Sequence, residues 1–152
     1  MRRTIAKPAP APSCPEEAVF VELLRTADLL SRAPGQLIRE RNLSANQYNV
    51  LRILRGAPEG LLCGEISARM ISRDPDITRL LDRMEERGLI GRCREDADRR
   101  RVQVWITTEG LALLASLDSP VCALHRRQLG HLQPKQLREL TSLLLACRRE
   151  LE

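Results

Sequence analysis

Apolar residues recur at two different spacings along this chain, and the spacing changes shortly after residue 88. Before that point, one stripe follows the i, i+3, i+4, i+7 pattern that places side chains on a single helix face, and it consists of Ile77, Leu80, Leu81 and Met84. Between residues 102 and 106 apolar side chains recur at every second position, at Val102, Val104 and Ile106, which is typical of a half-buried strand. The pattern therefore predicts a helix followed by a short antiparallel sheet.

Start and stop signals divide the middle of the chain into short helices. Ser44 and Gln47 have the spacing of a capping box, and Gly56 is placed to end the helix that they begin. A short helix carrying Ile66 and Met70 follows. The striped helix is expected to begin at Asp74-Pro75, because Asp can cap a helix and Pro suits its first turn. Gly88 is expected to end this helix.

The flanking segments predict longer helices. One begins near Pro15 and has a kink or break at Pro34-Gly35. Thr107 is placed to cap a long helix, and Pro134 opens the last one. That last helix carries apolar residues spaced 3, 4, 3 and 4, which is a narrow heptad seam that indicates a partner helix. The seam consists of Leu137, Leu140, Leu144, Cys147 and Leu151.

Two short helices, a longer helix and a β-hairpin, in that order, predict a winged helix-turn-helix. The hairpin would pair residues 89–94 with residues 102–106 through a charged tip at 95–101. The fold class is thus mainly α with a small β-hairpin, and the winged helix-turn-helix core is flanked by N- and C-terminal helices.

We divide the chain accordingly. Residues 1–15 hold four of the nine prolines and are expected to form a disordered N-terminal arm. Residues 16–42 and 107–152 form a flanking helical region. Residues 43–106 form the winged helix-turn-helix, continuous with those helices as one domain.

Composition fits one modest, leucine-rich core. The chain has 152 residues, of which 43% are apolar and only 2% aromatic, and this favours helix over sheet. The net charge of +5 is compatible with an anionic partner but too small to prove one. No apolar run is long enough to span a bilayer, and no apolar segment follows the basic N-terminus, so we expect neither a membrane protein nor a secreted one.

Candidate reaction chemistry is sparse. The five cysteines are odd in number and form no Cys-x-x-Cys pair, which favours reduced thiols in a cytoplasmic protein. His125 and His131 are six residues apart without other ligands at metal-binding spacing. We find no catalytic constellation. The sequence predicts a protein that is not an enzyme and needs no metal and no cofactor.

The exposed face of the third helix and the hairpin tip are the candidate DNA-binding surfaces. In a winged helix-turn-helix this helix enters a major groove, and the hairpin reaches phosphates or a minor groove. The alternative is an ordinary solvated face, since residues 73–101 contain nine arginines and eight acids. The candidate DNA-binding residues are Arg73, Asp76, Thr78, Arg79, Arg83, Asp98, Arg99, Arg100 and Arg101.

The acids before the third helix have two interpretations. Asp74 and Asp76 fit helix-start chemistry, because carboxylates interact favourably with the helix dipole. Alternatively, a carboxylate near DNA could accept a hydrogen bond from a cytosine amino group. Both interpretations remain open at this stage.

Residues 43–110 resemble the MarR family of multiple-antibiotic-resistance regulators. LSANQYNVLRIL is similar to the family's second helix, DITRLLDRMEERGLI to its recognition helix and following strand, and DADRRRVQVWITTEG to its wing. The wing pattern falls on Asp98, Arg100, Ile106, Thr107 and Gly110. The resemblance implies a homodimer that binds a palindromic operator in double-stranded DNA, usually as a repressor, and that is often released by a small ligand or an oxidant.

The resemblance also suggests roles for individual residues. It makes Arg100 the wing-tip residue that enters the minor groove, with Asp98 orienting its guanidinium. It makes the helical region at 16–42 and 107–152 the dimerisation region and assigns homodimerisation to its first and last helices, through Leu23, Leu30, Leu137, Leu140, Leu144, Cys147 and Leu151. Some family members sense oxidants through a cysteine near the start of the first helix, so Cys14 is the candidate for an alternative, thiol-sensing regulator. A second alternative is a winged-helix protein-interaction module that does not bind DNA.

Overall fold

The computed structural model describes residues 14–72, 74–95, 98–149 and 151, and describes only the backbone at residues 94, 95 and 98–101. The expected disordered arm at 1–15 therefore lies almost wholly outside the described residues, as does Arg73. The chain divides into two compact units, residues 1–32 and 33–152. In the first unit, the described residues are Cys14 and the N-terminal part of one helix.

The described residues are mainly helical. The helices are α1 Pro15–Glu40, α2 Ala45–Arg55, α3 Cys63–Arg69, α4 Ile77–Glu86, α5 Thr108–Leu129 and α6 Pro134–Arg149. The strands are β1 Leu61–Leu62, β2 Ile90–Glu95 and β3 Asp98–Ile106. They form one antiparallel sheet in the order β1-β3-β2. The predicted fold class is confirmed, and β1 adds a third strand that the sequence pattern did not predict.

Short-range signals set most helix ends. The capping box of α2 is confirmed: the Gln47 amide donates to Ser44 Oγ at 3.1 Å, and the Ser44 amide donates to Gln47 Oε1 at 2.9 Å. Gly56 is the C-cap of α2. Gly88 follows α4 with a φ of +68°, a left-handed conformation that glycine adopts without steric cost.

Of the kink or break expected at Pro34-Gly35, the break was wrong, because α1 continues through Pro34 to Glu40. A proline inside a helix removes one backbone hydrogen bond and costs about 3 kcal/mol or more. The last turn of α1 nevertheless stays helical, since Ile38 is buried in the core and Leu37 packs against it. Burial of this turn offsets the lost bond.

The core lies in the second unit and is aliphatic. It is formed where the apolar faces of α2, α3, α4 and α5 meet the sheet. Val104 of β3 is fully buried and pairs in register with Leu61 on one side and Arg92 on the other. This packing leaves the opposite face of α4 directed away from the core.

Candidate nucleic-acid interface

Helix α4 separates its apolar and charged residues onto opposite faces. Leu80, Leu81 and Met84 are buried and Ile77 is half-buried, as the stripe predicts. The opposite face carries the exposed side chains of Thr78, Arg79, Arg83 and Glu86. The Arg83 Nε donates to the Arg79 carbonyl at 3.2 Å, so this guanidinium lies along the helix. Two arginines one turn apart thus face solvent on a helix whose other side is fixed in the core.

The start of α4 differs from the prediction. The helix begins at Ile77, and Asp76 is its N-cap, whose carboxylate accepts from the Arg79 amide at 3.1 Å. Asp74 does not cap the helix, because its oxygens accept from Asn46 Nδ2 at 2.7 Å and from the Asp76 amide at 3.0 Å. The Asn46 hydrogen bond, followed by the Asp76 amide, lowers the pKa of Asp74 below its ordinary value. Helix capping is therefore the role of Asp76, whereas Asp74 holds the turn that precedes the helix.

Arg92 connects the recognition helix to the wing, and the sequence reasoning did not identify it. From β2, its guanidinium contacts Asp82 at 2.7 Å and donates through Nε to Glu85 at 2.8 Å. Its side chain is only 20% exposed. The Glu85 hydrogen bond is the main reason that the pKa of Arg92 is raised. The available signal was the spacing of Asp82 and Glu85, which places two acids on one face of α4.

This contact changes the charge that α4 presents. Asp82 and Glu85 are partly covered and paired with Arg92, whereas Arg79 and Arg83 stay exposed on the other side. Two of the acids of α4, Asp82 and Glu85, thus face the wing, whereas Arg79 and Arg83 face outward together with Glu86.

The strands of the wing extend further into the charged segment than expected. Residues 95–101 were predicted as a hairpin tip, but β2 extends to Glu95 and β3 begins at Asp98, with these two residues paired across an irregular register. That prediction was wrong, because backbone pairing continues into the charged segment. Arg99, Arg100 and Arg101 therefore lie on β3. Their side chains and that of Asp98 lie outside the described residues, so the orienting pair remains a prediction.

The base of the wing is fixed by close packing. A Cβ atom on Gly91 would lie 2.5 Å from the Trp105 ring, and one on Gly110 would lie 2.2 Å from the Leu89 carbonyl oxygen. Thr107 caps α5 by accepting from the Gly110 amide at 3.1 Å, and its hydroxyl donates to the Gly88 carbonyl at 2.6 Å. These contacts join the end of α4, the wing and the start of α5.

A second candidate site is a cleft of about 410 Å³ between α2, α5 and the start of α6. Tyr48, Arg52 and Arg55 line it from α2, and His125 and Arg126 line it from α5. The Arg52 guanidinium lies 5.9 Å from the centroid of the Tyr48 ring. The cleft therefore combines cationic groups with an aromatic face.

One arginine of this cleft is already paired. Arg55 donates to both Asp118 oxygens, at 2.7 and 2.9 Å. This contact lowers the pKa of Asp118 and raises that of Arg55. The positive charge left to a ligand therefore comes mainly from Arg52 and Arg126.

None of the predicted dimerisation residues is buried in the single chain, and most of them are exposed. None of the described α6 residues is buried, and Leu140 and Leu144 are 41% and 39% exposed. Leu137 and Leu30 are half-buried, and Cys147 and Leu23 are exposed. Leu151 was wrongly placed on the seam's helix, because α6 ends at Arg149 and Leu151 lies in a turn.

The remaining sequence-predicted site residue lies at the start of α1. Cys14 is exposed just before the helix, and its Sγ accepts from the Glu17 amide at 3.4 Å, in the manner of an N-cap.

No helix in the described part of the chain is long and apolar enough to cross a membrane.

The assembled elements define a winged helix-turn-helix protein, and comparison with known proteins specifies the family. Residues 41–101 match a model of the MarR family. The crystal structure of a MarR transcription factor from Planctomyces limnophilus is 40% identical, with a TM-score of 0.68 over 90% of this chain and 99% of that one. This chain belongs to the MarR family.

Two characterised relatives are transcriptional regulators. The HTH-type transcriptional regulator PecS of Dickeya dadantii is 33% identical over 98 residues, which are 63% of this chain and 59% of PecS. The match thus spans less than two thirds of that relative. The homoprotocatechuate degradative operon repressor of Escherichia coli is 24% identical over 128 residues, covering 84% of this chain and 86% of the repressor.

Proposed function

We propose that this chain is a cytoplasmic, homodimeric, sequence-specific DNA-binding regulator that represses transcription and is released by a small ligand. The observation that carries the proposal is the outward face of α4. Arg79 and Arg83 are exposed one turn apart on a helix that is anchored in the core by Leu80, Leu81 and Met84. Guanidinium groups on such a face suit guanine edges or adjacent phosphates in a major groove.

The wing extends the same surface. Arg92 holds β2 against α4, so the charged strand segment at 98–101 follows a fixed base. Arg100 would enter the minor groove, where narrow A·T-rich stretches concentrate negative potential. Arg99 and Arg101 would contact flanking phosphates, and Thr78 and Arg73 would support the contacts of α4.

A dimer follows from the uncovered apolar residues of α6 and from the palindromic operators expected of this family. Two copies related by a two-fold axis would place their recognition helices about 34 Å apart, one turn of B-DNA. The known relatives are regulators or repressors rather than enzymes, which supports a regulatory role for this chain.

The cleft between α2 and α5 is the proposed effector site. Its cationic groups and Tyr48 suit a small anionic molecule with an aromatic or apolar body. A panel of aromatic and aliphatic carboxylates would be tested for release of the protein from its operator. Arg126→Ala should abolish release by any active compound but leave DNA affinity unchanged. Release that is equal in this variant would place the effector elsewhere.

The DNA-binding proposal is tested by selecting operators from random DNA and measuring affinity against salt. We expect a palindromic motif and a Kd that rises steeply with salt. Arg79→Ala/Arg83→Ala should weaken operator binding by about 2–5 kcal/mol. Arg138→Ala, which removes an exposed α6 arginine, is the control for loss of positive charge. No enriched motif and no salt-dependent binding would instead favour a protein-interaction module.

The thiol-sensing alternative is separated by an oxidant titration of the same complex. We expect peroxide to leave operator binding of the unaltered protein unchanged. Release by peroxide that is lost in Cys14→Ser would make this chain a thiol-based sensor.

A further inference from the structure

The segment between α3 and α4 is attached to α2 by polar side chains. Asn49 Oδ1 accepts from the Ile71 amide at 2.8 Å, and Asn46 Oδ1 accepts from the Ser72 hydroxyl at 3.3 Å. The other end of the Asn46 amide donates from Nδ2 to Asp74 at 2.7 Å. Two asparagines on consecutive turns of α2 thus bind this segment at three residues, which are Ile71, Ser72 and Asp74.

The same contacts continue into the first turn of α4. The second oxygen of Asp74 accepts from the Asp76 amide at 3.0 Å, and Asp76 in turn accepts from the Arg79 amide at 3.1 Å. Hydrogen bonds therefore run without interruption from Asn46, through Asp74 and Asp76, to the backbone of Arg79. Arg79 is the residue that we expect to contact DNA.

Apolar packing does not fix this segment. Between Met70 and Ile77 no described residue is buried, and Ile71 is 90% exposed. The position of the segment depends on hydrogen bonds, whereas the helices on either side are anchored in the core. Partly exposed hydrogen bonds of this kind add little net stability, but they are directional. Their geometry suits them to orienting α4 more than to stabilising the fold.

We propose that Asn46 and Asp74 are positioning residues that set the orientation of the first turn of α4 and thereby the specificity of DNA recognition. This inference rests on the proposed DNA-binding function. It assigns a role to an acid that simple charge arguments would treat as unfavourable beside DNA. Small displacements of the first turn would move the Arg79 side chain relative to a base edge, so specific binding depends on the contact more than non-specific binding does.

The test exchanges the two side chains. Asp74 accepts from its two donors with different oxygens, so Asp74→Asn would place an NH2 group against the donating Nδ2 of Asn46. Asn46→Asp places two carboxylates together. In the double variant Asn46→Asp/Asp74→Asn, the new amide at position 74 can accept from the Asp76 amide and donate to the new carboxylate at position 46. That carboxylate can still accept from the Ser72 hydroxyl. The exchange therefore preserves all three hydrogen bonds and the net charge.

We expect each single variant to bind its operator about tenfold more weakly and the double variant to recover wild-type affinity within about threefold. Affinity for non-specific DNA should not fall in Asp74→Asn, because an acid has been removed. Glu139→Gln, on α6, gives the same change in net charge and should leave operator affinity unchanged. A purely structural role would lower the melting temperature without changing the ratio of specific to non-specific affinity.

Hydrogen exchange of the Ile71 and Asp76 amides, measured without DNA, provides an independent readout. Exchange at Asp76 should be faster in both single variants and return to the wild-type rate in the double variant. Unchanged operator affinity in both single variants, or a double variant no better than the weaker single, would overturn the proposal. If the unaltered protein bound no DNA, the proposed function would fail, whereas exchange rates would still decide whether these contacts hold the segment.

Discussion

Helices α4 and α6 are both amphipathic, but within one copy of the chain only the apolar face of α4 is buried. In α4 the apolar stripe is buried at Leu80, Leu81 and Met84, and the charged face is left outside. In α6 no described residue is buried, and Leu143 and Leu144 are 60% and 39% exposed. One helix displays charge to solvent, and the other displays apolar surface. The difference indicates that the apolar face of α4 is buried within one copy of the chain, whereas the apolar face of α6 needs a second surface to cover it.

The largest effect is expected from a charge placed on the exposed apolar surface of α6. Leu144→Glu would place an unpaired carboxylate in the dimer interface and should cost about 3–5 kcal/mol of dimerisation. Light scattering should then give the monomer mass, while the wild type gives twice that value at micromolar concentration. Ser142→Glu, exposed on the same helix, is the control and should remain dimeric. A wild-type monomer would show that the α6 surface has another use.

The second test compares truncations of buried and exposed leucines. Leu81→Ala should lower the free energy of unfolding by about 2–5 kcal/mol, because it leaves a cavity in the core. The loss should be present at every protein concentration. Leu144→Ala should destabilise chiefly through the dimer, so its effect should depend on concentration in denaturant titrations. If both variants lowered the free energy of unfolding equally and at every protein concentration, the difference between α4 and α6 would be contradicted.

The third test separates the DNA-facing side from the dimer side. Arg100→Ala should weaken DNA binding by about 1–3 kcal/mol and leave both the melting temperature and the dimer mass unchanged. Asp98→Ala should act in the same direction if it orients Arg100, although it removes a negative charge. An exposed ion pair contributes only about 0–1 kcal/mol to folding, so stability should not change. Tighter operator binding by Asp98→Ala would contradict the orienting role.

The smallest effect is expected at the start of α4. Asp76→Ala removes the N-cap and should lower stability by about 1 kcal/mol, whereas Asp76→Asn keeps an equivalent cap and removes only the charge. Thermal unfolding of both variants measures this difference. A melting temperature for Asp76→Ala equal to that of the wild type would contradict the capping role.

DNA selection with Asp76→Asn then addresses the two functions left open for this acid. A uniform gain in affinity indicates repulsion of phosphate. Relaxed preference at one base pair indicates that the acid contacts a cytosine. If neither affinity nor preference changes, Asp76 acts in helix capping alone.

Features that depend on residues close together in the chain could be predicted from the sequence. The capping box at Ser44 and Gln47, the stripe of α4, the Thr107 cap and the left-handed Gly88 all involve short-range contacts or conformations. Such signals are local, and they were sufficient to predict the winged helix-turn-helix order and the exposed face that carries Arg79 and Arg83.

Features that depend on contacts between residues far apart in the chain became visible in the folded structure. Asp76 rather than Asp74 caps α4, and Asp74 instead contacts Asn46, which lies 28 residues earlier in the chain. Arg92 became part of the candidate interface because β2 lies beside the acids of α4. Helix α1 continues through Pro34 because its last turn is buried, and β1 exists because β3 offers it a free edge. In each case the stabilising contact is made by residues that are far away along the chain. Their proximity in space could therefore not be predicted from the sequence.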